Sequence, residues 1–142
     1  MATHWECEQS VATNAGRRIV WEFWSDLQNH AEMEKVTIEL DGPFQSGTKG
    51  RTISQDFTQE WELAEVREHR QFGIIGYTPD GKGSLEFFWR FEDEGDGTRI
   101  TYRISARGPD VDDNLEILQG MGDRIPQALA DLTGRLNALA EE

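Results

Sequence analysis

The spacing of apolar residues along this chain switches between the period of a strand and that of a helix, and each switch marks an element boundary. Trp5, Cys7, Gln9 and Val11 alternate with His4, Glu6, Glu8 and Ser10, so residues 3–11 are predicted to form a strand. Ile19, Val20, Phe23, Trp24 and Leu27 then recur at three- and four-residue spacing. That stripe predicts an amphipathic helix running to about Leu27, capped by Thr13 or Asn14. A second, short helix is expected at 29–35. Strand alternation returns with Val36, Ile38 and Leu40 and stops at the turn composition Asp41-Gly42-Pro43.

Residues 47–57, 60–69 and 71–78 read as further strands, the last closed by Pro79-Asp80-Gly81. Trp61 and Leu63 share one phase while Ala64 and Val66 take the other, which predicts a bulge between them. In 83–94 the alternation is cleanest, with Leu85, Phe87, Trp89 and Phe91 set against Glu86, Phe88, Arg90 and Glu92. A tight hairpin at Glu94-Gly95-Asp96-Gly97 leads into 97–107, where Ile100, Tyr102, Ile104 and Ala106 share a face. Short connections make this series an antiparallel meander. Leu115, Leu118, Met121, Ile125, Leu129, Leu132, Leu136 and Leu139 then advance by three or four, a long terminal helix that Pro126 should kink or restart.

Several segments carry a resemblance to a known family. Val20-Trp21-Glu22-Phe23-Trp24-Ser25-Asp26 resembles the first-helix signature of the START-like (SRPBCC) superfamily, the helix-grip fold of Bet v 1-type and polyketide cyclase/dehydrase-like proteins. The loop Gly42–Gly50, the strand opening Gly97-Thr98-Arg99-Ile100-Thr101-Tyr102 and the helix segment Pro126-Gln127-Ala128-Leu129-Ala130-Asp131-Leu132 are similar to other motifs of that superfamily. The resemblance covers nearly the whole chain and implies an α+β helix-grip domain over 1–142. It implies a seven-stranded antiparallel sheet around a long C-terminal helix, with two short helices between strands 1 and 2. A lipocalin-like barrel or a cone of the nuclear-transport-factor type fits the element order less well. The motifs are structural, and none names a reaction.

Composition narrows the partners. Twenty-seven acidic against fourteen basic residues give a net charge of −13, so no cationic face is available for nucleic acid, and anionic membrane surfaces are disfavoured. No apolar run approaches the ~20 residues of a membrane span, and Met1-Ala2-Thr3-His4-Trp5-Glu6 has no signal-peptide character. The lone cysteine, Cys7, suits a reducing compartment, and a cytoplasmic location is expected. Five Trp, seven Phe and two Tyr are more ring surface than a disordered acidic chain would carry. Phe88, alone on a polar strand face, would suit a contact between two copies of the chain.

Chemistry is sparse. His4, His30 and His69 show no metal-ligand spacing, and Asp110, Asp112 and Asp113 lack the arrangement of a calcium loop. They read as favourable charges at a helix start. No metal and no cofactor is expected. Cys7 reads as a small buried thiol, with nothing local to activate it. No catalytic residue is assigned. Tyr102 lies on the apolar face, either as a core tyrosine or as a pocket hydroxyl that orients a ligand. Arg51 shares a phase with Ile53, Gln55 and Phe57. If that face looks inward, its guanidinium could hold an anionic group; otherwise it is a solvated arginine. The facing of His69, beyond the expected bulge, is open.

In a helix-grip fold, Phe87, Trp89 and Tyr102 project toward Leu118, Met121 and Ile125, and the break near Pro126 opens space beside them. Trp24, Arg51 and Trp61 complete the candidate ligand-binding set. Aromatic lining suits a small hydrophobic molecule, such as a lipid, polyketide or aromatic compound. The alternative is a cyclase- or dehydratase-type enzyme using the same cavity, and a third reading is an interaction protein with an acidic surface and a vestigial cavity. With a cavity beside it, Trp89 is expected to cost less on truncation than a fully packed core Trp.

Overall fold

The computed structural model describes residues 3–141, so Met1 and Ala2 of the expected N-terminal segment, and Glu142, lie outside the described residues. Seven strands form one antiparallel sheet: β1 (His4–Thr13), β2 (Thr37–Leu40), β3 (Lys49–Ile53), β4 (Thr58–Arg67), β5 (Gln71–Tyr77), β6 (Ser84–Glu94) and β7 (Gly97–Arg107). Their spatial order is β1-β7-β6-β5-β4-β3-β2. Consecutive strands from β2 to β7 are neighbours, as short connections require, and β1 returns to pair with β7 after two helices. Gly95 and Asp96 alone join β6 to β7, with Gly95 in the left-handed region that such a turn demands. The expected bulge is present: the β4–β5 register shifts between Ala64 and Arg67, and Glu65 has φ 51. Leu63 and Val66 consequently both reach the core.

The helices differ from expectation at their ends. α1 (Arg17–Trp24) begins at Gly16 without a side-chain cap, because Thr13 is still in the sheet and its hydroxyl is bonded to Asn137 Oδ1 at 2.7 Å. It stops before Leu27, which instead opens α2 (Leu27–Glu34); Asp26 caps α2 by accepting from the Gln28 N–H. The terminal stripe is two helices, α3 (Leu115–Asp123) and α4 (Ile125–Ala140), with Pro126 in the first turn of α4. Proline fits there because a first-turn N–H has no helical acceptor to lose. Pro126 therefore restarts the helix rather than kinking it. Among the described residues no helix is long and apolar enough to cross a membrane.

The helices cover the sheet face that carries Phe72, Trp89, Phe91, Ile100 and Ile104, and Ile125, Leu129, Leu132 and Leu136 of α4 complete this core. A smaller cluster, Leu27, Ala31, Ile38, Trp61 and Leu63, closes one flank, and Ala106, Val111 and Leu118 close another. Backbone approach is tightest where β7 starts. A methyl group on Gly97 would collide with the Thr13 carbonyl. Gly97→Ala is therefore expected to lower stability by about 1–3 kcal/mol, the usual range for overpacking, as read from urea denaturation.

Candidate ligand cavity

Between the three clusters the inner face of the sheet is not filled. Trp89 and Tyr102 are direct cross-strand partners, and their rings stack at 4.5 Å with planes 4° apart. Above them α2 lays down Leu27, His30, Ala31 and Glu34, spaced as one helical stripe. The result is a hollow of about 180 Å³, walled by Ile38, Trp61, Ile74, Phe87, Trp89 and Tyr102 and reached past Phe57. Two further hollows share Glu34 and Tyr102 with it. One, about 180 Å³, runs to the α3–α4 junction along Phe87, Met121 and Ile125. The other, about 120 Å³, lies between α2 and α4 beside Trp24, Met33, Leu129 and Leu132. A wider hollow of about 360 Å³ opens near α3, lined by Leu85, Ile117, Leu118 and Met121, and meets the central one at Gln59 and Gly76. Gly50 makes room for the Trp61 ring, which lies 2.5 Å from where a Cβ would stand. The Trp61 indole N–H donates to Thr52 Oγ1 at 2.9 Å.

Three titratable groups face this space. The Tyr102 hydroxyl has no hydrogen bond to protein among the described residues; burial first, and the Glu34 charge second, hold it above the ordinary tyrosine range. Glu34 is solvent-reachable at the mouth, yet its carboxyl lies close enough to apolar walls that desolvation raises its pKa. His30 is buried, its ring stacked on Trp24 at 3.4 Å. Nε2 lies 2.7 Å from the Trp24 carbonyl, so it carries the proton and leaves Nδ1 as an acceptor. Burial, partly opposed by that bond, drives the His30 pKa from 6.5 down to about 3.

The consequence for stability has a definite sign. Between those two values the unfolded chain binds a proton that the native protein refuses. The contribution of His30 to stability should therefore fall as the pH drops below about 6.5, by roughly 1.4 kcal/mol per unit until its native pKa is approached. Urea titrations at pH 7.5, 6 and 5 measure the slope, and His30→Gln should flatten it. A slope equal in both proteins would show that His30 titrates freely.

Trp24, Trp61, Phe87, Trp89, Tyr102, Met121 and Ile125 are thus gathered around adjoining hollows, whereas Leu118 sits apart at the α3 opening. Arg51 is a correction. It points to the opposite face of the sheet, bonding Glu39 Oε1 at 3.3 Å and Asp41 Oδ2 at 3.1 Å. The inner positions of β3 are Gly50 and Thr52, paired across with Trp61 and Gln59. Phe88 is also a correction: it is 6% exposed, covered by the Arg103 guanidinium 4.7 Å above its ring, so it offers no surface for self-contact. Cys7 is half-buried against Gly122. His69 sits in the β4–β5 turn with φ 65, half-exposed against the edge of Trp21 and away from the hollows. His30 and Glu34 were missed by sequence reasoning, although the Leu27-His30-Ala31-Glu34 spacing places His30 on the buried stripe and Glu34 at its exposed end.

A sequence model of the family described as polyketide cyclase / dehydrase and lipid transport matches residues 4–141. The chain belongs to this family. No curated protein matches it significantly in sequence. In three dimensions this family member is similar to norcoclaurine synthase from Thalictrum flavum, in truncated form (12% identity, TM-score 0.71, 100% of this chain and 97% of that one). It is also similar to the protein TTHA0849 from Thermus thermophilus (18%, 0.68, 94% and 98%) and to the Aha1 dimer from Colwellia psychrerythraea (11%, 0.70, 94% and 96%). At these identities the likeness speaks for the helix-grip fold alone. The family member keeps that fold's sheet, terminal helix and pair of helices after β1.

Proposed function

We propose that this protein binds a small, flat hydrophobic molecule in the hollow between the sheet and the α2 and α4 helices. The observation that carries the reading is the Trp89–Tyr102 stack walling that hollow with an unbonded hydroxyl at its edge. Aromatic walls with few polar groups are what a ligand site of this class requires, and the family description, which includes lipid transport, supports it. Native mass spectrometry of protein purified from its own host tests the reading directly: a bound organic molecule of defined mass is expected. A hydrophobic probe should also change Trp fluorescence on binding. Protein without any co-purifying molecule that also ignores apolar probes would overturn the proposal.

The second reading is a cyclase- or dehydratase-type reaction in the same space. Glu34 is the observation that favours it, because a carboxylate beside apolar walls is a stronger base than one in water. Arg51 plays no part in either reading. Conversion of a bound molecule by the wild-type protein but not by Glu34→Gln would decide for the enzyme.

A further inference from the structure

Among the described residues the indole N–H of Trp24 has no hydrogen-bond partner, and its nitrogen is buried. Trp24 is 5% exposed, and its ring lines the hollow between α2 and α4. Buried donors are nearly always paired, and an exception calls for an explanation. On the same hollow stand the Glu34 carboxylate and the Trp89–Tyr102 stack, with Leu129 and Leu132 of α4 opposite. Glu34 forms no ion pair among the described residues, whereas Asp131, the other carboxylate of this wall, is bonded to Gln127 at 2.9 Å. His30 and Trp89, the rings packed on Trp24, meet it by face and edge, and no acceptor of theirs reaches its nitrogen.

We propose that this hollow is a hydroxyl-reading subsite of the ligand cavity: the end of an aromatic ligand that bears a hydroxyl enters it, donates to Glu34 and accepts from Trp24 Nε1. The inference rests on the ligand-binding reading above and adds the chemical class of the ligand. Two complementary groups decide the choice. An ammonium head would satisfy the carboxylate but has no lone pair for the indole, and a ketone or ether would satisfy the indole but has no proton for Glu34. A hydroxyl does both. The stacked rings supply a flat wall for the arene that carries it.

Matched probes test this on the full chain at pH 7 by titration calorimetry: naphthalene, 2-methoxynaphthalene and 2-naphthol. The expected order is naphthol tightest, about tenfold over naphthalene, as one charge-assisted hydrogen bond allows, with the methoxy compound between them. Glu34→Leu and Trp24→Phe should each bring the naphthol-to-naphthalene ratio toward one. If Trp24→Phe does not fold cooperatively, Glu34→Leu at the rim and the methoxy probe carry the test. Equal binding of naphthol and naphthalene would overturn the subsite and leave the hydrophobic-ligand reading standing. A preference for naphthol that survives both variants would overturn it as well, since the hydroxyl would then be read elsewhere. Failure of all three probes to bind would overturn the subsite, and in protein that also carries no co-purifying molecule it would overturn the cavity reading with it.

Discussion

A chain ending at Gly122 should not fold. Ile125, Leu129, Leu132 and Leu136 of α4 are each at most 3% exposed and supply the helical half of the main core. Burying a side chain of this size stabilises by about 1.5–3 kcal/mol, so four of them together are comparable to the roughly 5–15 kcal/mol of a typical native state. The loss is not confined to packing. Asn137, near the end of α4, accepts from the Thr13 hydroxyl at 2.7 Å and from the Asn14 N–H at 2.9 Å, which ties down the passage from β1 into α1. The truncated chain should show no cooperative thermal transition and a collapsed amide spectrum. A dispersed spectrum with a sharp transition would mean that the sheet is stable on its own.

Trp89→Ala should cost about 3–5 kcal/mol, the full range for a core tryptophan. This departs from the sequence-based expectation of a smaller loss beside a cavity. Trp89 does border two hollows, but it is 5% exposed, and its ring packs on Tyr102 by the face and meets Trp24, His30 and Phe72 at 5.2–5.9 Å. Removing it deletes a contact for each of four rings at once. The same substitution merges the central and α2–α4 hollows, so affinity for an apolar probe should change together with stability. Chemical denaturation gives the first number and a fluorescence titration the second. A loss under about 1 kcal/mol would place Trp89 in the wall of a large open pocket rather than in the core.

The architecture was legible because period-two and helical stripes here run long enough to fix both type and facing; β6 and β7 place every expected residue inward. The facing of β3 was not legible. Ile53 and Phe57 suggested one continuous strand and hence a phase for Arg51, but Ser54 bonds back to Phe57 and turns the chain between them. Phe57 therefore belongs to a turn at the cavity mouth and says nothing about the strand before it. The environment of Phe88 was not legible for a different reason. Its cover, Arg103, is its cross-strand partner on β7, and which residues stand opposite is knowable only once register is fixed. His30 and Glu34 are readable in the spacing, one on the buried stripe and one at its exposed end, but a stripe counted by apolar positions alone contains neither.

The break at Arg124 separates two duties that an unbroken helix would have to combine. α4 holds the fold through four buried aliphatic residues, while α3 contributes only Leu118 and Gly122 to the interior and turns Ile117 and Met121 toward the adjoining hollows. Selection can therefore act on the two halves separately. Ile117, largely exposed, is free to change size and polarity and so to reshape the α3 hollow, while Met121 also packs against the main core and must keep its apolar volume. On the ligand-binding reading proposed above, that division makes α3 the segment where relatives sharing this scaffold should diverge in ligand preference, and the place to begin when altering it by design.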